Sequence, residues 1–269
     1  IIGAKYIRDI DNGEIVVMDK NGVKSYKPFN KVSARPCIFE YIYFARPDSV
    51  MNGKNVYECR KKMGQQLALE LNTKADIVIP VPDSGVPAAL GYSEASSIPY
   101  NLGIIRNHYV GRTFIEPTQT IRQLGIKLKH NANKSIIQNK RVILIDDSIV
   151  RGTTAIKIVE MMRNAGAAEV HMRISSPPIK FPDFYGIDTP SINELIASYN
   201  SVEEIRKLLK LDSLHFLSLD GLYKSMGHEK RNNINPQYTD HCFTGDYPTS
   251  LVDRDDGALA SQLTLLNDK

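Results

Sequence analysis

Residues 141–146 read Arg-Val-Ile-Leu-Ile-Asp, and the chain continues Asp-Ser-Ile-Val-Arg-Gly-Thr-Thr to Thr154. An unbroken apolar run of this length, mostly β-branched, suits a strand buried on both faces of a parallel sheet. Two carboxylates at its end need partners or a ligand if they stay out of water. The small, hydroxyl and glycine residues that follow predict a tight loop opening a helix over Thr153–Ala165, stopped by Gly166. A strand, an acid pair and a phosphate-type loop in that order confine the chain to an open α/β architecture. In such sheets, ligands bind outside the carboxyl ends of the strands.

The flanking pattern agrees. Lys54–Leu71 carries helical spacing at Val56, Cys59, Met63, Leu67 and Leu71. Asp76–Pro82 is a short apolar strand ending in Pro-Asp-Ser-Gly, Val86–Ala95 a helix, Asn101–Arg106 a strand and Val170–Ser175 a further strand. Strand–helix alternation of this kind predicts a doubly wound, mainly parallel sheet with helices on both faces. Further on, a helix is expected over Ser191–Asn200, and another starts at Ser201 with Glu204 completing a capping box. The stretch Lys5–Tyr26 alternates around Asn12-Gly13 and Asn21-Gly22, which predicts a small antiparallel unit. Phe39, Tyr41, Tyr43 and Phe44 alternate as a packed strand would. Asn107–Asn139 is long and polar, the pattern of either a functional lid or a disordered segment.

The chemistry follows from residue types. Asp146 and Asp147 can accept hydrogen bonds from sugar hydroxyls and attract Mg²⁺, an oxygen-seeking ion that keeps several waters. Free N–H groups at the next helix start, with the Thr153 and Thr154 hydroxyls, form an anion cradle, and Gly152 lets backbone approach closely. Together these describe a ribose 5-phosphate site. Pro80–Gly85 is a tight turn whose Ser84 and Gly85 amides suit a second anion.

Composition excludes other classes. The 269 residues carry a formal charge of +4, too mild to argue for nucleic acid, and no apolar run approaches a bilayer span of about 20 residues. Three unevenly spaced cysteines form no disulfide framework, so a reducing, cytoplasmic setting is expected.

The thirteen residues Val142–Thr154 resemble the PRPP motif of type I phosphoribosyltransferases. Residues 39–49, 80–85, 109–115 and 184–189, with Leu219-Asp220-Gly221 and Cys242–Gly245, extend the resemblance to the glutamine phosphoribosylpyrophosphate amidotransferase family across almost the whole chain. The resemblance implies displacement of pyrophosphate from C1 of PRPP by ammonia, giving phosphoribosylamine, the first committed step of purine synthesis. It implies that Asp83, Ser84 and Gly85 form the pyrophosphate loop and that Asp146, Asp147, Ser148, Arg151, Gly152, Thr153 and Thr154 hold the ribose phosphate. Ser84, Asp146 and Asp147 would share the Mg²⁺. Arg112 and Lys129, on a basic lid that also carries Arg106, Arg122 and Lys127, would act as catalytic cations.

The same resemblance implies homo-oligomers, purine nucleotides as feedback inhibitors, residues 1–28 as the tail of a glutaminase domain, a catalytic unit over 29–250 and a tail over 251–269. Some relatives hold a [4Fe–4S] cluster on four cysteines. Here Cys37 and Cys242 remain, while Asp183 and Thr239 stand where the other two ligands are expected, so no cluster is predicted. Two rivals are a salvage phosphoribosyltransferase, which residues 39–49 and 184–189 oppose, and a PRPP sensor that binds nucleic acid, which would need a basic recognition helix. A truncated, inactive scaffold chain would bind PRPP without turnover.

Overall fold

Alternate residues of the strand Arg141–Asp146 face opposite cores. Ile143 and Ile145 belong to one buried cluster, Val142 and Leu144 to the other. A strand that is apolar on both faces needs a layer of helices on each side, and the computed structural model has them. It describes residues 3–30, 33–107, 130–186 and 191–251.

In chain order the strands are β1 (Ile15–Asp19), β2 (Gly22–Tyr26), β3 (Val50–Met51), β4 (Lys54–Asn55), β5 (Ile77–Pro80), β6 (Ile104–Arg106), β7 (His130–Ala132), β8 (Arg141–Asp146), β9 (Glu169–Ile174) and β10 (Ser213–Phe216). The helices are α1 (Val56–Glu70), α2 (Val86–Ser96), α3 (Lys134–Ile137), α4 (Thr153–Asn164), α5 (Ile196–Tyr199), α6 (Val202–Leu208), α7 (Leu219–Ser225) and α8 (His241–Thr244). The main sheet runs β10-β9-β8-β5 with every pairing parallel. On one face, α1 and α2 pack Met63, Leu67, Ala88, Ala89 and Tyr92 against Val78, Ile143 and Ile145. On the other, α4 packs Ala155, Ile158, Val159 and Met162 against Val142, Leu144 and Met172. This is the expected doubly wound α/β arrangement.

Several local expectations change. The Phe39–Phe44 aromatics do not form a strand: Glu40–Phe44 is a single π-helical turn, which buries Tyr41 and Ile42 and leaves Tyr43 and Phe44 half exposed. Its two ends are held together by the buried guanidinium of Arg60, which donates to Tyr41 O (2.9 Å) and Ala45 O (2.8 Å). A side chain twenty positions away thus satisfies the turn, an arrangement no local pattern encodes. The N-terminal unit is a hairpin, but β1 and β2 are joined through Lys20-Asn21, with Asp19 opposite Gly22. The segment around Tyr6–Ile10 is not a strand. Of the stretch expected as a lid, the described residues from His130 on form β7, paired antiparallel to β6, and then α3, while 108–129 lie outside the described residues. The helix expected over 191–200 is broken into a 3-10 turn, Ile192–Glu194, and α5. The Ser201–Glu204 capping box is present in full.

Candidate active site

Two loops leave the carboxyl ends of the neighbouring strands β5 and β8 and lie side by side. Val81 N–H donates to Ile145 O at 2.8 Å, which ties the start of the first loop to the end of the second strand. Gly85 has to be glycine here, since a Cβ would lie 2.3 Å from Ile145 O and 2.9 Å from Val81 O.

Asp146 and Asp147 close β8, only 8% and 6% exposed. Asp147 N–H donates to Asp146 Oδ1 (2.9 Å) and Ser148 Oγ–H to Asp147 Oδ2 (2.6 Å). Among the described residues, no Lys or Arg forms an ion pair with either acid. Burial first, and the charge of Asp147 second, push the Asp146 carboxyl well above the ordinary range. A site that makes its own carboxylates costly is one that a cation completes.

Beyond the acids, no main-chain N–H from Ser148 to Thr154 has a hydrogen-bond acceptor among the described residues. Gly152 caps α4 in the left-handed region, φ 79°, with no side-chain cap. The Thr153 and Thr154 hydroxyls are also without protein partners among the described residues. The result is an open anion cradle at a helix N-terminus, one turn from two buried acids. A cavity of about 700 Å³ runs along α4 and shares Thr154 with this constellation.

The residues of the first loop divide. Ser84 is half-buried and its hydroxyl makes no hydrogen bond among the described residues, so it is available to a ligand. The Gly85 amide is not, because it donates to Val81 O at 3.0 Å. That corrects the expectation of two free amides, and the cause is the turn opening α2. Asp83 follows a cis peptide bond and its carboxylate is bound by Arg106. Arg151 is likewise engaged, its guanidinium on Glu194. Arg106, as a partner of Asp83, and Glu194 were not anticipated as parts of the site, since each acts across the fold on a residue remote in sequence. Arg112 and Lys129 lie outside the described residues, as do Arg122 and Lys127.

The donor set can be tested against the two implied metal groups. Asp146, Asp147 and Ser84 offer hard oxygen ligands without a competing cation, which suits Mg²⁺. No three His, Cys, Asp or Glu side chains among the described residues form a closed metal cage, and Mg²⁺ bound with water and substrate oxygens needs none. An iron–sulfur cluster does not fit. Cys37 and Cys242 are free thiols, but Thr239 Oγ–H donates to Arg35 O (2.6 Å) and Asp183 pairs with His241. Burial raises both thiols, as packed cysteines that stay protonated. No helix among the described residues is long and apolar enough to cross a membrane.

Comparison with known proteins matches residues 48–175 to the phosphoribosyl transferase domain. Amidophosphoribosyltransferase of Rhizobium etli is 57% identical over 272 residues, 99% of this chain and 55% of that protein. The Bacillus subtilis enzyme of the same name is 50% identical, with 93% of this chain and 52% of that protein covered. Among solved structures, glutamine phosphoribosylpyrophosphate amidotransferase from B. subtilis, complexed with ADP and GMP, superposes with a TM-score of 0.82 at 50% identity, over 93% of this chain and 55% of that one. The chain spans about half the length of the curated relatives it matches. With a phosphoribosyl transferase domain at its centre and this similarity along nearly all its residues, the chain belongs to the amidophosphoribosyltransferase family.

Proposed function

We propose that this chain carries the synthase chemistry of an amidophosphoribosyltransferase: ammonia displaces pyrophosphate from C1 of PRPP, giving 5-phosphoribosylamine for purine synthesis. The observation that carries this reading is the pair of buried acids beside the amides that open α4, which have no partner among the described residues. Acids for ribose hydroxyls and amides for phosphate, at one strand end, match the two ends of a ribose 5-phosphate.

Asp146 and Asp147 orient the ribose hydroxyls and, with Ser84, would hold Mg²⁺. The ion would neutralise charge on the departing pyrophosphate. The amides of residues 148–154 and the Thr153 and Thr154 hydroxyls fix the 5-phosphate, anchoring C1 for attack. No side-chain nucleophile is required, because positioning and electrostatic stabilisation of the separating charges supply the rate. In this scheme Asp83, held by Arg106, shapes the pyrophosphate loop, with Gly85 allowing its close approach to β8. Arg112 and Lys129 would supply the positive charge that the leaving pyrophosphate needs.

We assign residues 29–250 to the catalytic unit, 1–28 to the tail of a glutaminase-type domain and 251–269 to a terminal tail. The setting is cytoplasmic, and the assembly a homo-oligomer. The B. subtilis complex with ADP and GMP favours purine nucleotides as feedback ligands.

The test is PRPP-dependent release of pyrophosphate with Mg²⁺, ammonia and glutamine being supplied separately. Release with ammonia establishes the reaction. Release with neither donor, alongside PRPP binding, would assign the fold to sensing instead.

A further inference from the structure

The segment of residues 191–196, some forty positions beyond the phosphate loop, folds back onto that loop and touches three successive residues of it. Ile196 N–H donates to Val150 O at 3.0 Å. Arg151 Nε donates to Glu194 Oε2 at 2.8 Å, and Nη2 lies 2.6 Å from the same oxygen in an ion pair. Above Gly152, a Cβ would lie 3.0 Å from Ile196 Cδ1 and 3.6 Å from Leu209 Cδ2, so the loop has no slack on this side. Glu194 is itself placed by a 3-10 turn, its N–H donating to Ser191 O at 2.9 Å. Ile149 and Ile196 share the core beneath.

Both partners of the Arg151–Glu194 pair are about half exposed, so the pair contributes little to the stability of the fold. Its effect is geometric. Arg151 is the cation nearest in sequence to the anion cradle, yet its guanidinium is committed to a carboxylate. A guanidinium meant as a primary phosphate ligand would not be matched with a competing anion in the loop's own support. The cradle is complete without it, because the amides from Ser148 to Thr154 are partner-free among the described residues.

We propose that Glu194 is a positioning residue for phosphate recognition: acting through Arg151, and together with Ile196, it sets the curvature at which the loop amides converge on the 5-phosphate. Arg151 is a brace in this arrangement rather than a phosphate ligand. The inference rests on the sugar-phosphate reading above and adds to it a residue from outside the motif.

The experiment compares wild type, Glu194→Gln, Glu194→Asp, Arg151→Met and the Gln–Met double variant. Two quantities are read: KM and kcat for PRPP with ammonia, and the dissociation constant of ribose 5-phosphate, which lacks the pyrophosphate. Glu194→Gln and Arg151→Met should each weaken ribose 5-phosphate by about tenfold, with kcat nearly unchanged. The double variant should be no worse than either single one, and Glu194→Asp should recover part of the loss. Inhibition by pyrophosphate alone should not move, which a general collapse of the site would not allow. Tighter ribose 5-phosphate binding in Glu194→Gln would overturn the proposal, because it would make Glu194 a competitor for a phosphate-binding Arg151. Additive losses in the double variant would overturn it too. If wild type binds ribose 5-phosphate but does not turn PRPP over, the reaction assignment fails while the brace is still tested by binding.

Discussion

The imidazole Nε2 of His241 lies 2.7 Å from Asp183 Oδ2, with the two side chains only 2% and 4% exposed. Tyr247 stacks on the imidazole at 4.8 Å and Tyr185 meets it edge-on at 5.3 Å. Phe181 N–H and Lys180 N–H donate to Cys242 O, and Cys37 bridges to Thr239, so three segments remote in sequence meet here. Removing one member of this contact leaves the other as an unpartnered buried polar group, at a cost of about 1–3 kcal/mol. Asp183→Asn should therefore lower the urea midpoint strongly, while a metal chelator should leave the wild-type midpoint where it is. A chelator-induced loss of stability would contradict a metal-free Asp183–His241 contact.

Asp146 makes an opposite trade. Its carboxyl is raised by burial and by the charge of Asp147. A raised folded-state acid opposes folding once it ionises, so stability falls as pH climbs from the unfolded value of about 4 toward the folded one. Asp146→Asn should flatten that fall and raise the melting temperature at neutral pH, while turnover drops by about 10² or more. Mg²⁺ with PRPP should stabilise wild type but not the variant. A neutral variant that melts lower at pH 7 would refute this account of the acid pair.

Asp76 shows the ordinary sign. The hydrogen bond from the Arg141 side chain, then that from its main-chain N–H, hold its carboxyl down to about 2. The stabilisation is present above pH 4 and is lost as pH falls through about 2. Both side chains are roughly a third exposed, so solvent screening limits it to about 0.5 kcal/mol. Asp76→Asn should reduce stability at pH 6 by about that amount and converge with wild type near pH 2. Raising the salt should shrink the difference at pH 6.

The parts of the fold that could be read from the chain are those whose cause is local. Arg141–Asp146 forms β8 over the very residues where its β-branched run ends in acid, and Ser201 with Glu204 forms the capping box because both groups lie within one turn. The acid pair and the helix opening at Thr153 could be read for the same reason. What could not be read depends on partners far along the chain. The turn at Glu40–Phe44 is stabilised by Arg60, so its aromatic spacing mimics a strand. Arg151 carries a basic side chain in a phosphate motif, and its commitment to Glu194 appears only when residue 194 folds back. The Gly85 amide is lost to Val81 for a reason of turn geometry that the Pro-Asp-Ser-Gly pattern leaves open.

Helices α1 and α2 meet through two glycines, and this contact reaches the site. A Cβ on Gly64 would lie 1.8 Å from Ala88 O, and one on Gly91 would lie 1.9 Å from Lys61 O. Each helix therefore presses its glycine against the other's backbone, closer than side chains would permit. Alanine normally stabilises a helix interior by about 1 kcal/mol relative to glycine. Here the new methyl meets backbone that cannot rotate away, so the helices must separate, and overpacking of this kind costs about 1–3 kcal/mol or more. Gly64→Ala should therefore destabilise the chain in urea despite its better helix propensity. The displacement should also travel along α2 to Gly85, which is already packed against Ile145 O immediately before the acid pair. The predicted kinetic signature is a raised KM for PRPP in the folded variant. Gly91→Ala should act alike, and the double variant should lose less than the two singles combined, because one separation relieves both clashes. A stabilised Gly64→Ala would show that the two helices are not in backbone contact.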